Sequence, residues 1–352
     1  MSCSGCSRVA PIQDQGWLLV QSTEPSIAEK LQETSTSLMI MQEKKDLRLS
    51  FRYDSKEQLL ESLSALQAAI SEKEQELVKL RITESERPQD TAELSDAVSF
   101  KQFFARMKHQ DVVRIILDGQ FTSHMQPIFE TATGKIFGYE FLLRASEDGP
   151  LFKPFDLFTV AQQTGLHSFL DRSARISAIQ TSAQYLPTGY KRFVNFLPSS
   201  IYNPNYCLTH TFAAIERLSL DPQDFVFEVV ETEKIADITH LQNIFAVYRQ
   251  HGVKVALDDV GSGFATLGVL SALRPDYVKI DRGLTDHCDE DVEKQQKIHE
   301  IIRRAGSFGG VVLAEGMERS EEWEYCKASG IQLAQGYLLG KPSPRPLPDM
   351  EN

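Results

Sequence analysis

The chain is short of cysteine, of long apolar runs and of positive charge, and each shortage removes a class of protein. Its five cysteines are Cys3, Cys6, Cys207, Cys288 and Cys326. An odd, scattered set fits a reducing compartment and gives no disulfide framework. Cys3-Ser-Gly-Cys6 has the spacing of half a metal site or of a redox pair. No second pair or nearby histidine closes a tetrahedral set, so a tail without function is the plainer reading. The longest apolar stretch, around residues 112–117, is broken by Arg114 and is far too short to cross a bilayer. No basic-then-apolar export signal is present, so a cytoplasmic location is expected. A net charge of −12 argues against a duplex nucleic-acid surface. It leaves room for an anionic ligand held locally by metal ions and one or two cations.

What is present is ordinary for a globular protein: 352 residues, 41% hydrophobic and 24% charged, enough for one large domain and a smaller one. Residues 17–20, 37–41 and 47–53 read as short strands with a helix over 26–34, a small α+β unit within residues 1–58. Over residues 59–98 a helical segment and a linker are expected. Leu59, Leu63, Leu66, Ile70, Leu77 and Leu80 follow a four-and-three spacing that fits either a coiled-coil seam or an amphipathic helix lying on its own domain. Residues 84–90 are polar, carry Pro88 and read as the linker.

From residue 99 onward strands and helices alternate. Strands are expected over 121–129, 136–143, 192–197, 225–230, 253–257, 277–280, 311–314 and 332–339, mostly separated by helices. Eight such runs predict a TIM-like (β/α)8 barrel over residues 99–352. No glycine-rich dinucleotide fingerprint supports an open doubly wound sheet. The connection from 129 to 136 is too short for a crossover helix, so the first strand should be antiparallel to the second.

Barrel enzymes keep their chemistry at the C-terminal ends of the strands. Those ends carry Glu140 and Arg144, Asn195, Glu228 and Glu231, Asp258 and Asp259, Lys279 and Asp281, Glu315 and Glu318, and Gln335. So many acids at one level need protons, cations or both, and one lysine cannot neutralise them. The donors are all oxygen, which favours Mg²⁺ or Mn²⁺ over zinc. Asp258 and Asp259 could bridge two ions, as in phosphodiester cleavage. Lys279 is then a cation for the attacking water or the developing charge, unless it is only a partner for Asp281 or Asp258.

These residues resemble a known family. Gln126-Pro-Ile, Glu140-Phe-Leu-Leu-Arg144, Phe193-Val-Asn195, Glu228-Val-Val-Glu231, Asp258-Asp-Val-Gly261, Lys279-Ile-Asp281, Ala314-Glu-Gly-Met-Glu318 and Gln335-Gly-Tyr-Leu-Leu-Gly-Lys-Pro342 look like the EAL-domain cyclic-di-GMP phosphodiesterases, in the family's order, over about residues 110–345. The resemblance implies a barrel with an antiparallel first strand, two Mg²⁺ or Mn²⁺ ions, and hydrolysis of cyclic di-GMP to linear pGpG. It implies metal ligation by Glu140, Asn195, Glu228, Asp258 and Asp259. Glu315 would be the general base, beside Lys279. Gln126, Leu142, Arg144 and Gln335 would serve the substrate, and Glu231 would brace the loop over residues 260–266. The pattern departs at Phe141, Val230 and Val260. Phe141 should point away from the face carrying Glu140, because side chains alternate along a strand. Val230 and Val260 bear on regulation and rate.

Two other readings compete: a receptor that binds cyclic di-GMP without cleaving it, and a glycosidase using Glu228 and Glu315. The second leaves Asn195, Lys279 and the remaining acids without a role. The heptads and the loop after Asp259 together suggest a homodimer.

Overall fold

The computed structural model describes residues 12–35, 40–45, 47–83, 97–229, 237–261 and 265–348. Val230 and Glu231 lie outside the described residues, as do Cys3, Cys6 and the linker over 84–90. The chain forms two compact units, residues 1–120 with 152–170, and residues 121–151 with 171–352.

The first unit opens with β1 (Gly16–Ser22), α1 (Pro25–Ser35), β2 (Ile40–Lys45) and β3 (Arg48–Tyr53). It continues through α2 (Lys56–Ala69), α3 (Glu72–Glu76), β4 (Val78–Thr83) and β5 (Val98–Ser99). The strands form one antiparallel sheet in the order β2-β3-β1-β4-β5. Alternation along the strands puts Leu18, Val20, Leu49, Phe51, Val78 and Leu80 into one core with Ile27, Leu31, Leu59, Leu63 and Leu66. That packing decides between the two readings of the heptads. The seam of α2 lies on its own sheet, and the spacing breaks at Ser71, which caps α3 by accepting the Glu74 N–H. Leu80 then belongs to a strand rather than to a helix. The coiled coil is therefore excluded over these residues: seven-residue spacing shows that a helix has one apolar face, not what covers it. Helices α4 (Phe100–Lys108), α5 (Gln110–Asp118) and α6 (Pro154–Thr164) also fall within this unit, where Arg106 Nε donates to Thr164 O at 2.8 Å.

In the second unit eight strands close into a barrel: β6 (Phe121–Glu130), β7 (Ile136–Ala145), β8 (Lys191–Phe196), β9 (Phe225–Val229), β10 (Lys254–Val260), β11 (Tyr277–Ile280), β12 (Val311–Ala314) and β13 (Leu333–Ala334). β6 runs antiparallel to both neighbours, β7 and β13, as the short connection requires, and the remaining pairs are parallel. The last strand is shorter than expected, because the chain turns at Gln335. The helices are α7 (His167–Tyr185) from residue 171 onward, α8 (Pro204–Cys207), α9 (Thr209–Arg217), α10 (Ile238–Gln250), α11 (Leu267–Leu273), α12 (Arg282–Thr285), α13 (Val292–Gly306) and α14 (Ser320–Ala328). The spacing alone does not predict the short α8, α9 and α12. No helix among the described residues is long and apolar enough to cross a membrane.

The two faces of the barrel strands are sorted by the pleat. Outward residues such as Phe141, Phe196, Phe227 and Val260 join the helices in the large core. Ile128, Phe193, Val226, Ala256, Tyr277, Leu313 and Leu333 form a separate cluster, one residue from each of seven strands, which is the floor of the interior.

Candidate active site

Strand side chains repeat every second residue, so the position two beyond each floor residue also faces the interior. Two beyond Phe193, Val226, Ala256, Tyr277, Leu313 and Leu333 stand Asn195, Glu228, Asp258, Lys279, Glu315 and Gln335. On β6, which runs the other way, two before Ile128 stands Gln126, whose register partner on β7 is Glu140. A ring of polar groups thus sits directly on an apolar floor, with one member from each of the eight strand positions.

The ring is organised around Lys279, which is 1% exposed. Its Nζ lies 2.8 Å from Glu228 Oε2, 2.8 Å from Glu315 Oε1, 3.1 Å from Asp258 Oδ1 and 3.7 Å from Glu140 Oε1. Asp281, offered as its alternative partner, instead accepts the Gly283 N–H at the start of α12. Glu140 is held from both sides: Asn195 Nδ2 donates to Oε1 at 3.0 Å and Gln335 Nε2 donates to Oε2 at 2.7 Å. Gln335, expected to serve the substrate, is itself buried and orients this carboxylate.

Four carboxylates around one ammonium leave an unbalanced negative site in a poorly solvated place. Burial first, then the Glu140 and Asp258 charges, pushes the Glu228 carboxyl well above the usual range despite Lys279. Glu315 is pushed well up by burial and by Asp258, and Asp258 rises by burial and by Glu140. Burial alone would raise Glu140, but Lys279, Gln335 and Asn195 outweigh it and bring it down. For Lys279, burial is overcome by the surrounding carboxylates, which keep the ammonium charged far above its ordinary range.

Asp259 should point away from Asp258, since neighbours on a strand face opposite sides. A bulge removes that constraint: the β10–β11 register shifts between Leu257 and Val260, and Asp259 takes φ +53°. This left-handed conformation costs roughly 1 kcal/mol for most residues and less for aspartate. Its N–H donates to Asp258 Oδ1 at 3.0 Å. Asp258, Asp259 and Glu315 each then offer an oxygen, all within 4.8 Å of one another. Glu228 Oε1 and Gln335 Oε1 are buried and accept no hydrogen bond. Hard oxygen donors, excess negative charge and unsatisfied lone pairs fit a divalent cation.

The loops around the ring are pinned to one another. A side chain at Gly336 would strike the Met317 backbone, and only without one can Met317 N donate to Gln335 O at 3.0 Å and Leu338 N to Met317 O at 2.9 Å. Thr285 Oγ1 donates to Glu315 O. Glu322, fully buried in α14, accepts N–H groups from His287 at 2.9 Å and from Glu318 and Arg319 at 3.0 Å. It ties the segment after β11 to the segment after β12. Of the expected residues, Gln126 donates to Gly340 O at 3.2 Å, and Arg144 Nη1 donates to Leu143 O at 2.7 Å. Leu142 lies on β7 with Arg144, half-buried. Glu318 is outside the ring, paired with Arg282 at 2.9 Å. Thr285 and Glu322 are not among the residues that the motifs single out. Glutamate in the first turn of a helix is a start signal, and it is the one local mark that Glu322 carries.

Residues 109–342 match the family described as EAL domain. The chain belongs to the EAL domain family. Among curated proteins it is 28% identical over 238 residues to the probable cyclic di-GMP phosphodiesterase PdeG of Escherichia coli (strain K12), covering 65% of this chain and 46% of that protein. It spans about a third to a half of the length of the curated relatives it matches. Among solved structures, a standalone EAL protein of Vibrio cholerae in its c-di-GMP-bound form has 32% identity and a TM-score of 0.58, over 63% of this chain and 92% of that one. The calcium/cy-diGMP complex of Klebsiella pneumoniae BlrP1 covers 94% of this chain and 96% of its own. At 21% identity and a TM-score of 0.58, it shares the fold. The EAL barrel thus accounts for the second unit and for the ring within it.

Proposed function

We propose that the chain hydrolyses cyclic di-GMP to linear pGpG, using two divalent ions, Mg²⁺ or Mn²⁺, in the polar ring of the EAL barrel. The observation that carries this reading is Lys279 ringed by Glu140, Glu228, Asp258 and Glu315 in one closed barrel. Glu140, Asn195, Glu228 and Asp258 would hold one ion, and Asp259 would hold the second. When bound, the ions supply Lewis-acid polarisation of the phosphodiester and make water a competent nucleophile at neutral pH. Glu315 is the general base; its direct contact with Lys279 at 2.8 Å sets carboxylate and ammonium side by side, where both can face one water. Lys279 carries a fixed positive charge that offsets the charge building on the phosphorus oxygens. Gln335 keeps Glu140 turned inward, while Gln126, Leu142 and Arg144 stand on the β6–β7 ribbon for the nucleotide. Glu231 is assigned to the loop over residues 260–266 on its motif alone.

Incubating the purified chain with Mn²⁺ and cyclic di-GMP and separating the products chromatographically tests the proposal. Linear pGpG supports it, whereas bound but intact nucleotide makes the protein a receptor. Activity that survives thorough chelation points to a carboxylate-pair hydrolase instead. We place the reaction in the cytoplasm, in keeping with Cys207, Cys288 and Cys326, which are all free thiols. With the coiled coil excluded, a homodimer rests on the loop after Asp259 alone, and light scattering at working concentration tests it.

A further inference from the structure

The end of β8 is held from behind by a buried charge that takes no part in the ring. Asn195 faces inward, so its neighbour Phe196 faces the helices, where its ring packs on Tyr248 of α10 with centroids 5.4 Å apart. The chain then turns through residues 197–200. Asp171, 2% exposed on α7, reaches this turn: Oδ1 accepts the Leu197 N–H at 2.9 Å, and Oδ2 accepts the Ser200 hydroxyl. Arg175, also 2% exposed and one turn along α7, sets Nη2 3.2 Å from Asp171 Oδ2. Its Nη1 donates to the Tyr248 hydroxyl at 3.3 Å, and its Nε is buried without a partner.

Two charges and an unsatisfied N–H in the helical layer are weak stabilisers, since a packed apolar pair of similar volume commonly does as well or better. What they supply is position. A carboxylate fixed by Arg175 presents two acceptors at set points, and those acceptors fix the backbone two residues past Asn195. We propose that Asp171 is a positioning residue for Asn195: it holds the β8 turn so that Asn195 Nδ2 meets Glu140 and its amide oxygen stays available to a divalent ion. The link to an ion rests on the metal reading of the ring; the link from Asp171 to Asn195 does not.

The test uses the full chain with Asp171→Asn and, as a variant that keeps the ion pair and so the fold, Ser200→Ala. Two readouts are combined. In the metal-free protein labelled with ¹⁵N-asparagine, the side-chain amide resonance of Asn195, assigned by its loss in Asn195→Ala, should move in both variants. Mn²⁺ affinity, followed by the electron-spin signal of the free ion, should fall about tenfold in Asp171→Asn, the usual scale for a group behind a ligand. Repeated in Asn195→Ala, the same substitution should change Mn²⁺ affinity less than twofold, because the residue through which it acts is gone. An Asn195 resonance unmoved in both variants overturns the proposal, as does an equal loss of affinity with and without Asn195. If the wild-type chain takes up no Mn²⁺, the metal reading falls and the Asn195 resonance alone decides the positional one.

Discussion

Lys279 sets one positive charge against the four carboxylates of the ring. Breaking a buried pair by removing one partner usually costs roughly 3–5 kcal/mol, because the charges left behind have no compensation. Lys279→Met should therefore lower the thermal midpoint of the metal-free chain clearly, and saturating Mn²⁺ should recover part of that loss by supplying the missing positive charge. An unchanged metal-free midpoint would mean that Lys279 does not offset the carboxylates. Turnover should stay low in either case, since a cation at the reacting phosphate is lost. Glu315→Gln separates chemistry from binding. Size and shape are kept, so cyclic di-GMP should bind within about threefold of wild type, while turnover falls by roughly 10²–10⁴, the usual share of a general base. Near-normal turnover removes the base assignment. Most of these residues are legible in the sequence alone, because a polar residue two places beyond an apolar strand residue needs only the pleat to place it. Lys279 is legible as a residue but not as the centre: the distances that make it so join β11 to β7, β9, β10 and the loop after β12.

At the scale of elements, the loops rather than the strands are hidden from the sequence. Glu322 shows why, since its bonds run from α14 back across 35 positions to His287, and a long-range bond leaves no periodic trace. Its carboxyl is a measurable strut. Burial alone would raise its pKa, but the N–H groups of His287, Glu318 and Arg319, with the Arg319 charge, hold it below the ordinary value. A depressed carboxyl contributes stability that is present above the unfolded pKa, about 4.3, and is lost as pH falls through the folded value. Glu322→Gln should therefore be less stable than wild type at pH 7, by about 2 kcal/mol if one charge-assisted bond is lost. The gap should narrow below about pH 4, as the wild-type group takes up its proton. Urea titrations at pH 7 and pH 3.5, followed through Trp323 in α14, measure both gaps; a constant gap would mean that folding does not lower the Glu322 pKa. The heptads mislead for a related reason. Leu59, Leu63 and Leu66 give α2 one apolar face, but only the sheet pairing of β1 with β3 and β4 shows that the face is already covered.

For the whole molecule, the eight alternating segments and one short connection are enough to imply a closed barrel with an antiparallel first strand. The division of the chain is harder to read, because α4, α5 and α6 look like barrel helices by spacing yet fall with the N-terminal sheet. Each of the three is an ordinary helix by its own residues, so nothing local marks the division. The two tryptophans turn this organisation into an experiment: Trp17 lies in β1 of the first unit and Trp323 in α14 of the second. A ligand that binds only the folded barrel stabilises it by about 2.7 kcal/mol at a hundred times its dissociation constant. In Trp17→Phe, where Trp323 reports, Mn²⁺ at that excess should raise the urea midpoint, and chelation should reverse the rise. In Trp323→Phe, where Trp17 reports, the midpoint should not respond to Mn²⁺ if the units unfold separately, and should rise by the same amount if they unfold as one. Either result at Trp17 fixes the cooperativity of the chain. A Trp323 midpoint indifferent to Mn²⁺ and to chelation would leave the barrel without ions, and the acids around Lys279 would then be offset by that ammonium and by protons.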